Sequence, residues 1–125
     1  KLIHKLNLHS SVRQLGHISN TPEFLCALDI LVLSSDSKEG VPQSVMQGLF
    51  MDKQVVATNA GSTIDLIHNN NFQLVEKGNL NSLIKGVSVY IDKKNETITR
   101  KHMIKNFSSF VMTQKILKIY KKIIN

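Results

Sequence analysis

Short runs of apolar residues alternate along this chain with segments of helical period, and the alternation predicts strands joined by crossover helices. Residues 12–15 are a short strand candidate closed by Gly16. Thr21-Pro22 opens a helix reaching about Leu28, with the threonine as N-cap and the proline in the first turn. Ile30 to Leu33 are four consecutive apolar residues without alternation, which suits a strand buried on both faces of a parallel sheet. A polar loop then leads through Pro42 into a helix over residues 43–51. Residues 55–58 form a second buried strand, closed by the turn Asn59-Ala60-Gly61-Ser62 and followed by a short helix over 63–67. After a turn at Asn69-Asn70-Asn71, Phe72–Val75 is a third strand. Residues 80–90 read as a helix whose apolar face carries Leu80, Leu83, Ile84, Val87 and Ile91. From about Thr97 the chain is helical and basic, broken near residues 106–108, with a final helix over Ser109–Ile124.

This order implies an α/β fold, a Rossmann-like, doubly wound parallel sheet with C-terminal helices. In such sheets ligands bind outside the carboxyl ends of the strands, so the loops after Ser35 and after Thr58 are where chemistry is expected. The 125 residues are room for one domain and too few for two with separate cores. At 42% hydrophobic and 20% charged residues, the chain has the composition of a packed domain. No apolar run reaches the roughly 18 to 20 residues that span a bilayer. The chain opens on Lys1 without an initiator methionine or a signal-peptide pattern, and its front is expected to be cut.

Charge changes the picture only at one end. Of the net charge of +7, residues 1–92 contribute −1 (7 Lys/Arg against 8 Asp/Glu) and residues 93–125 contribute +8 (9 against 1). The last helix interleaves Lys115, Lys118, Lys121 and Lys122 with large apolar residues. Such a helix either packs on its own domain or lies on an anionic membrane surface. Nucleic acid is not expected, because residues 1–92 carry no basic patch with interleaved aromatics. The single cysteine, Cys26, lies in an apolar run and reads as a buried thiol in a reducing compartment, consistent with a cytoplasmic protein.

Little of the remaining chemistry is specific. His4, His9, His17, His68 and His102 lack metal-ligand spacing, so no metal and no other cofactor is expected. Ser34 and Ser35 stand at a strand end but without a nucleophile elbow. The segment Glu39-Gly40-Val41-Pro42-Gln43-Ser44 is different: a glycine turn followed by a helix start presents free N–H groups and the positive end of the helix dipole, an arrangement that can hold a phosphate. It also reads as a plain loop and a proline-initiated helix with no ligand.

Several segments in register resemble the C-terminal half of retaining glycosyltransferases of the GT-B fold, glycosyltransferase group 1 or family four. They are Leu15-Gly16-His17, Leu31 to Ser35, Glu39 to Pro42, Gln43 to Phe50, Gln54 to Ser62, and Phe107-Ser108 through Tyr120. The resemblance implies a single partial domain over residues 1–125, the first two strands of the fold being absent. It further implies a site for a nucleotide-diphosphate sugar donor, whose glycosyl group is transferred with retention to a glycan or lipid-linked acceptor. Glu39 would hold hydroxyls of the transferred sugar, and the backbone of Gly40, Val41, Pro42, Gln43 and Ser44 would meet sugar and diphosphate. Gln47 stands where the family usually has a Glu for the ribose hydroxyls, and it brings no charge. The backbone at His17 and Ile18 would meet the base.

The family's diphosphate-binding Arg and Lys, its acceptor site and its N-terminal domain would lie before Lys1, so the chain alone is expected to be inactive. A cytoplasmic enzyme, peripheral on the inner face of the plasma membrane and building a surface glycan such as lipopolysaccharide or capsule, is the implied setting. The alternative is a non-catalytic nucleotide- or phosphate-binding α/β module, or the remnant of a truncated gene.

Overall fold

The computed structural model describes residues 1–36, 40–67, 71–93 and 99–124. Three parallel strands, β1 (Ile30–Leu33), β2 (Gln54–Thr58) and β3 (Phe72–Val75), form one open sheet in the order β1-β2-β3. In register, Leu33 stands opposite Ala57, and Ala57 opposite Leu74. The helices are α1 (Leu2–Lys5), α2 (Thr21–Cys26), α3 (Gln43–Phe50), α4 (Leu80–Ile91), α5 (Thr99–Phe107) and α6 (Ser109–Ile124), with a 3-10 turn at Gly61–Leu66.

All five residues of β2 are buried. Its alternating side chains divide the core in two, as the pleat requires. Val55 and Ala57 pack with Val45 and Leu49 of α3, Met103 of α5, Leu66 and Phe72. Val56 faces the other way, against Val75 and Tyr90, with Leu83 and Val87 of α4 alongside. The helices therefore cover both faces of the sheet, which is the Rossmann-like arrangement the sequence pattern implied. Two buried amides fasten the chain behind it. Gln54 Nε2 donates to the Lys93 carbonyl at 3.0 Å, and Asn71 Nδ2 donates to Thr99 Oγ1 at 3.0 Å. Both bonds satisfy groups that would otherwise be costly to bury.

Several local expectations are corrected. Residues 12–15 form no strand and are exposed: no strand of the sheet pairs with them, and the Val12 N–H instead closes a local turn on the Leu8 carbonyl at 2.9 Å. β1 is an edge strand and only partly buried, with Val32 43% exposed, so it is not covered on both faces. Asn20, not Thr21, caps α2, its Oδ1 accepting from the Glu23 N–H at 3.4 Å. Cys26 is exposed, because α2 is six residues long and buries only Leu25. On α4 the buried positions are Gly86 and Tyr90, whereas Leu80, Ile84 and Ile91 are exposed. The last helix does not pack its apolar face on this domain, for no residue of α6 is buried.

Candidate functional site

Because β1 and β2 run parallel, α3, which joins them, starts at the carboxyl edge of the sheet. Pro42 is buried and extended (φ −67°, ψ 122°), and its carbonyl accepts from the Met46 N–H at 3.1 Å, closing the first helical turn. A proline has no side-chain oxygen with which to cap the helix, and no side chain caps α3. The first-turn N–H groups at Gln43, Ser44 and Val45 lack intrahelical acceptors, and they carry the positive end of the dipole. Val41 packs against the core below, anchoring the approach. Gly40 stands in the open, with no described atom beyond its chain neighbours within 4 Å of where a Cβ would be.

At the same edge of the sheet, on the face that α4 covers, the three strand exits line a second feature. Ser34 and Asp36 after β1, Thr58 at the end of β2, and Glu76, Gly78 and Asn79 after β3 line a cavity of about 280 Å³, closed on one side by Leu80 and Leu83. Thr58 Oγ1 donates to the Ser35 carbonyl at 2.6 Å and so ties the exit of β1 to that of β2. Asn79 works twice. Its Oδ1 accepts from the Ser82 N–H at 3.0 Å as the α4 N-cap, and its Nδ2 donates to Glu76 Oε2 at 2.7 Å. Ser82 Oγ in turn accepts from the Glu76 N–H at 3.1 Å, so this rim is fixed before any ligand arrives.

The structure brings Gly40, Val41, Pro42, Gln43 and Ser44 together at the start of α3. Glu39 lies outside the described residues. Gln47 is exposed one turn on, four residues after Gln43 and so on the same side of α3. It borders a small apolar recess of about 150 Å³ with Thr21, Pro22, Leu25, Phe50 and Met51. His17 is exposed and Ile18 half-buried in an irregular segment, where Gly16 takes the left-handed conformation (φ +64°). The rim residues Glu76, Gly78 and Asn79 were not singled out from sequence. The signal was there, since β3 is parallel to β1 and β2 and its exit must share their edge. Among the described residues no three His, Cys, Asp or Glu side chains gather to hold a metal, and no helix is long and apolar enough to cross a membrane.

Residues 1–93 match the protein family described as Glycosyl transferases group 1. The chain belongs to that family. No curated protein matches it. Among solved structures, a glycosyltransferase from Rickettsia africae is 30% identical, with a TM-score of 0.90 over 99% of this chain and 35% of its own. The Anabaena protein HepE, crystallised in complex with UDP, is 22% identical, with a TM-score of 0.86 over 96% of this chain and 35% of its own. HepE in complex with UDP and glucose aligns with a TM-score of 0.81 at 23% identity, over 96% of this chain and 34% of its own. The chain thus spans about a third of the length of the solved proteins it resembles. Its three-stranded parallel sheet and flanking helices match the Rossmann-like fold of the Rickettsia glycosyltransferase over nearly the whole of this chain.

Proposed function

We propose that this chain is the donor-binding part of a glycosyltransferase that takes a nucleotide-diphosphate sugar and transfers the sugar, with retention, to a glycan or lipid-linked acceptor. The observation that carries the reading is the uncapped start of α3, facing the carboxyl edge of the sheet in a group 1 chain. A diphosphate there would accept from the N–H groups of the first turn and lie against the helix dipole. Glu39 and the backbone of Gly40 would receive the transferred sugar, and Gln47 the ribose. That HepE was crystallised with UDP supports a uridine nucleotide as the first donor to try.

The chemistry assigned to these residues is positioning and stabilisation of the departing diphosphate by fixed amide dipoles. No side chain is given the role of nucleophile. Acceptor binding, and the remaining contacts to the diphosphate, are assigned to a preceding N-terminal domain, so the chain alone binds donor without transferring it. Isothermal titration of UDP-glucose, UDP and GDP-mannose into the chain is the test. One nucleotide should bind with micromolar affinity, weakening at least tenfold in Glu39→Ala and severalfold in Gln47→Ala. Absence of binding to all three, or binding indifferent to both substitutions, would overturn the reading.

A further inference from the structure

At the carboxyl edge β2 reaches one residue further than its pairing with β1 does. The last partners of that ladder are Leu33 and Ala57, whereas on the other side Thr58 still stands opposite Val75, and the Asn59 N–H donates to the Val75 carbonyl at 2.8 Å. Thr58 is therefore held by β3 at the point where β1 has left the sheet. Its side chain reaches across: Oγ1 donates to the Ser35 carbonyl at 2.6 Å, with the Leu33 carbonyl at 3.5 Å. Thr58 is 4% exposed. A buried hydroxyl is costly unless it is bonded, and valine would fill the same space without that demand.

The segment that leaves β1 here is the one that returns at the start of α3. Its far end is secured independently, by the buried Pro42 and by Val41, which packs against the core that holds Val45 and Leu49 of α3. Gln47 sits within α3 and shares that anchorage. The near end is the half-buried Ser35, tied to Thr58. We infer that Thr58 is a positioning residue for the sugar of the donor: by fixing the exit of β1 it sets where the segment carrying Glu39 starts, without touching the ligand. This rests on the donor site proposed above and divides its labour. The sugar end depends on the Thr58 hydroxyl, and the ribose and diphosphate end depends on the core beneath α3.

Titration calorimetry of UDP and UDP-glucose, or of GDP and GDP-mannose where the parent prefers guanosine, is the test. Thr58→Val and Thr58→Ala both lack the hydroxyl, and either suffices should the other not fold. In them affinity for the nucleotide sugar should fall about fivefold, the worth of one ordinary hydrogen bond, while affinity for the nucleoside diphosphate stays within about twofold. Thr58→Ser keeps the donor and should restore binding of the nucleotide sugar. Asp52→Ala loses its contact with the Arg100 N–H at the opposite edge of the sheet and controls for lost stability, so it should bind both ligands as the parent does. The inference is overturned if the hydroxyl-free variants bind the nucleotide sugar as tightly as the parent, or lose both ligands equally. It is overturned too if Thr58→Ser fails to restore binding, or if Asp52→Ala shows the same split. In each of those outcomes the parent still binds, and the donor site stands. A parent that binds neither pair overturns the donor site and this inference together.

Discussion

Asp52 Oδ1 accepts the backbone N–H of Arg100 at 2.8 Å, joining the turn between α3 and β2 to the first turn of α5, 48 residues away. Asp52 itself is left-handed (φ 55°), a conformation Asp tolerates better than most residues. One side chain therefore shapes the turn and satisfies a helix N-terminus on the same sheet face as Val45 and Met103. Asp52→Ala loses the acceptor and keeps the strain, and is expected to lower stability by about 1 to 2 kcal/mol in urea unfolding. Asp52→Asn keeps an acceptor and the turn, and should cost less than half as much. Equal losses in the two variants would show that charge, not the hydrogen bond, is what matters.

Gly86 and Gly48 are the two places where a helix backbone comes closest to the sheet. A Cβ on Gly86 would stand 2.6 Å from Val75 Cγ1 and 3.0 Å from Val56 Cγ1, both short branched side chains of buried residues. A Cβ on Gly48 would meet Leu31 Cδ2 at 2.6 Å, the end of a longer side chain on the edge strand. Alanine gains up to about 1 kcal/mol of helix propensity at either site. At Gly86 overpacking outweighs it, and Gly86→Ala is expected to lose about 1 to 3 kcal/mol. Leu31 can turn away toward the open edge, so Gly48→Ala should cost clearly less. Thermal unfolding of both variants ranks them, and the reverse order would contradict the packing argument.

These glycines also explain what could be read from the sequence and what could not. The order of elements from β1 onward was legible, because β2 is a continuous apolar run and Pro42 marks the start of α3. The buried side of α4 was legible only in part, Leu83 and Val87 being the expected residues that do pack beside the sheet. Counting large side chains selected Leu80, Ile84 and Ile91, yet the helix approaches the sheet where it is smallest, at Gly86. Residues 12–15 have the composition of a strand, but a strand also needs a ladder, and no single segment encodes its partner. Cys26 shared an apolar run with Leu25, and the helical period turned one inward and the other out. For the site, topology pointed to the exits of β1 and β2. Glu76 and Asn79 were missed because their residues read only as the start of the next helix.

Thr58 is the stitch between two of those exits. It is buried, and its hydroxyl donates to the Ser35 carbonyl at 2.6 Å. Thr58→Val keeps the shape and removes the donor, leaving a carbonyl to find water. A stability loss of about 1 kcal/mol is expected. Amide exchange at Ser35 and Asp36 should rise by more than the global change accounts for. Exchange that rises uniformly across β1 and β2 would show that the bond supports the whole sheet and not the rim of the cavity.

Among the described residues, Tyr90 gives a pH dependence that the fold dictates. Its ring is buried beside Val56 and Val75, and burial raises the phenol above its ordinary pKa of 10.0, with a hydrogen bond from the Gln73 side chain pulling partly back. The unfolded chain therefore ionises first. Below pH 10 the neutral phenol favours the folded state undiminished, and above it the unfolded state gains as the pH climbs toward the raised value. The slope from this group is at most about 1.4 kcal/mol per pH unit. Lysines titrate in the same window, but they are common to the protein and its Tyr90→Phe variant, so the difference between the two isolates the phenol. Urea unfolding between pH 8 and about pH 11 should show the parent losing its stability advantage over Tyr90→Phe as the pH rises. Two parallel curves would mean that the phenol ionises as readily folded as unfolded, and the tight seat of Tyr90 between α4 and the sheet would have to be abandoned.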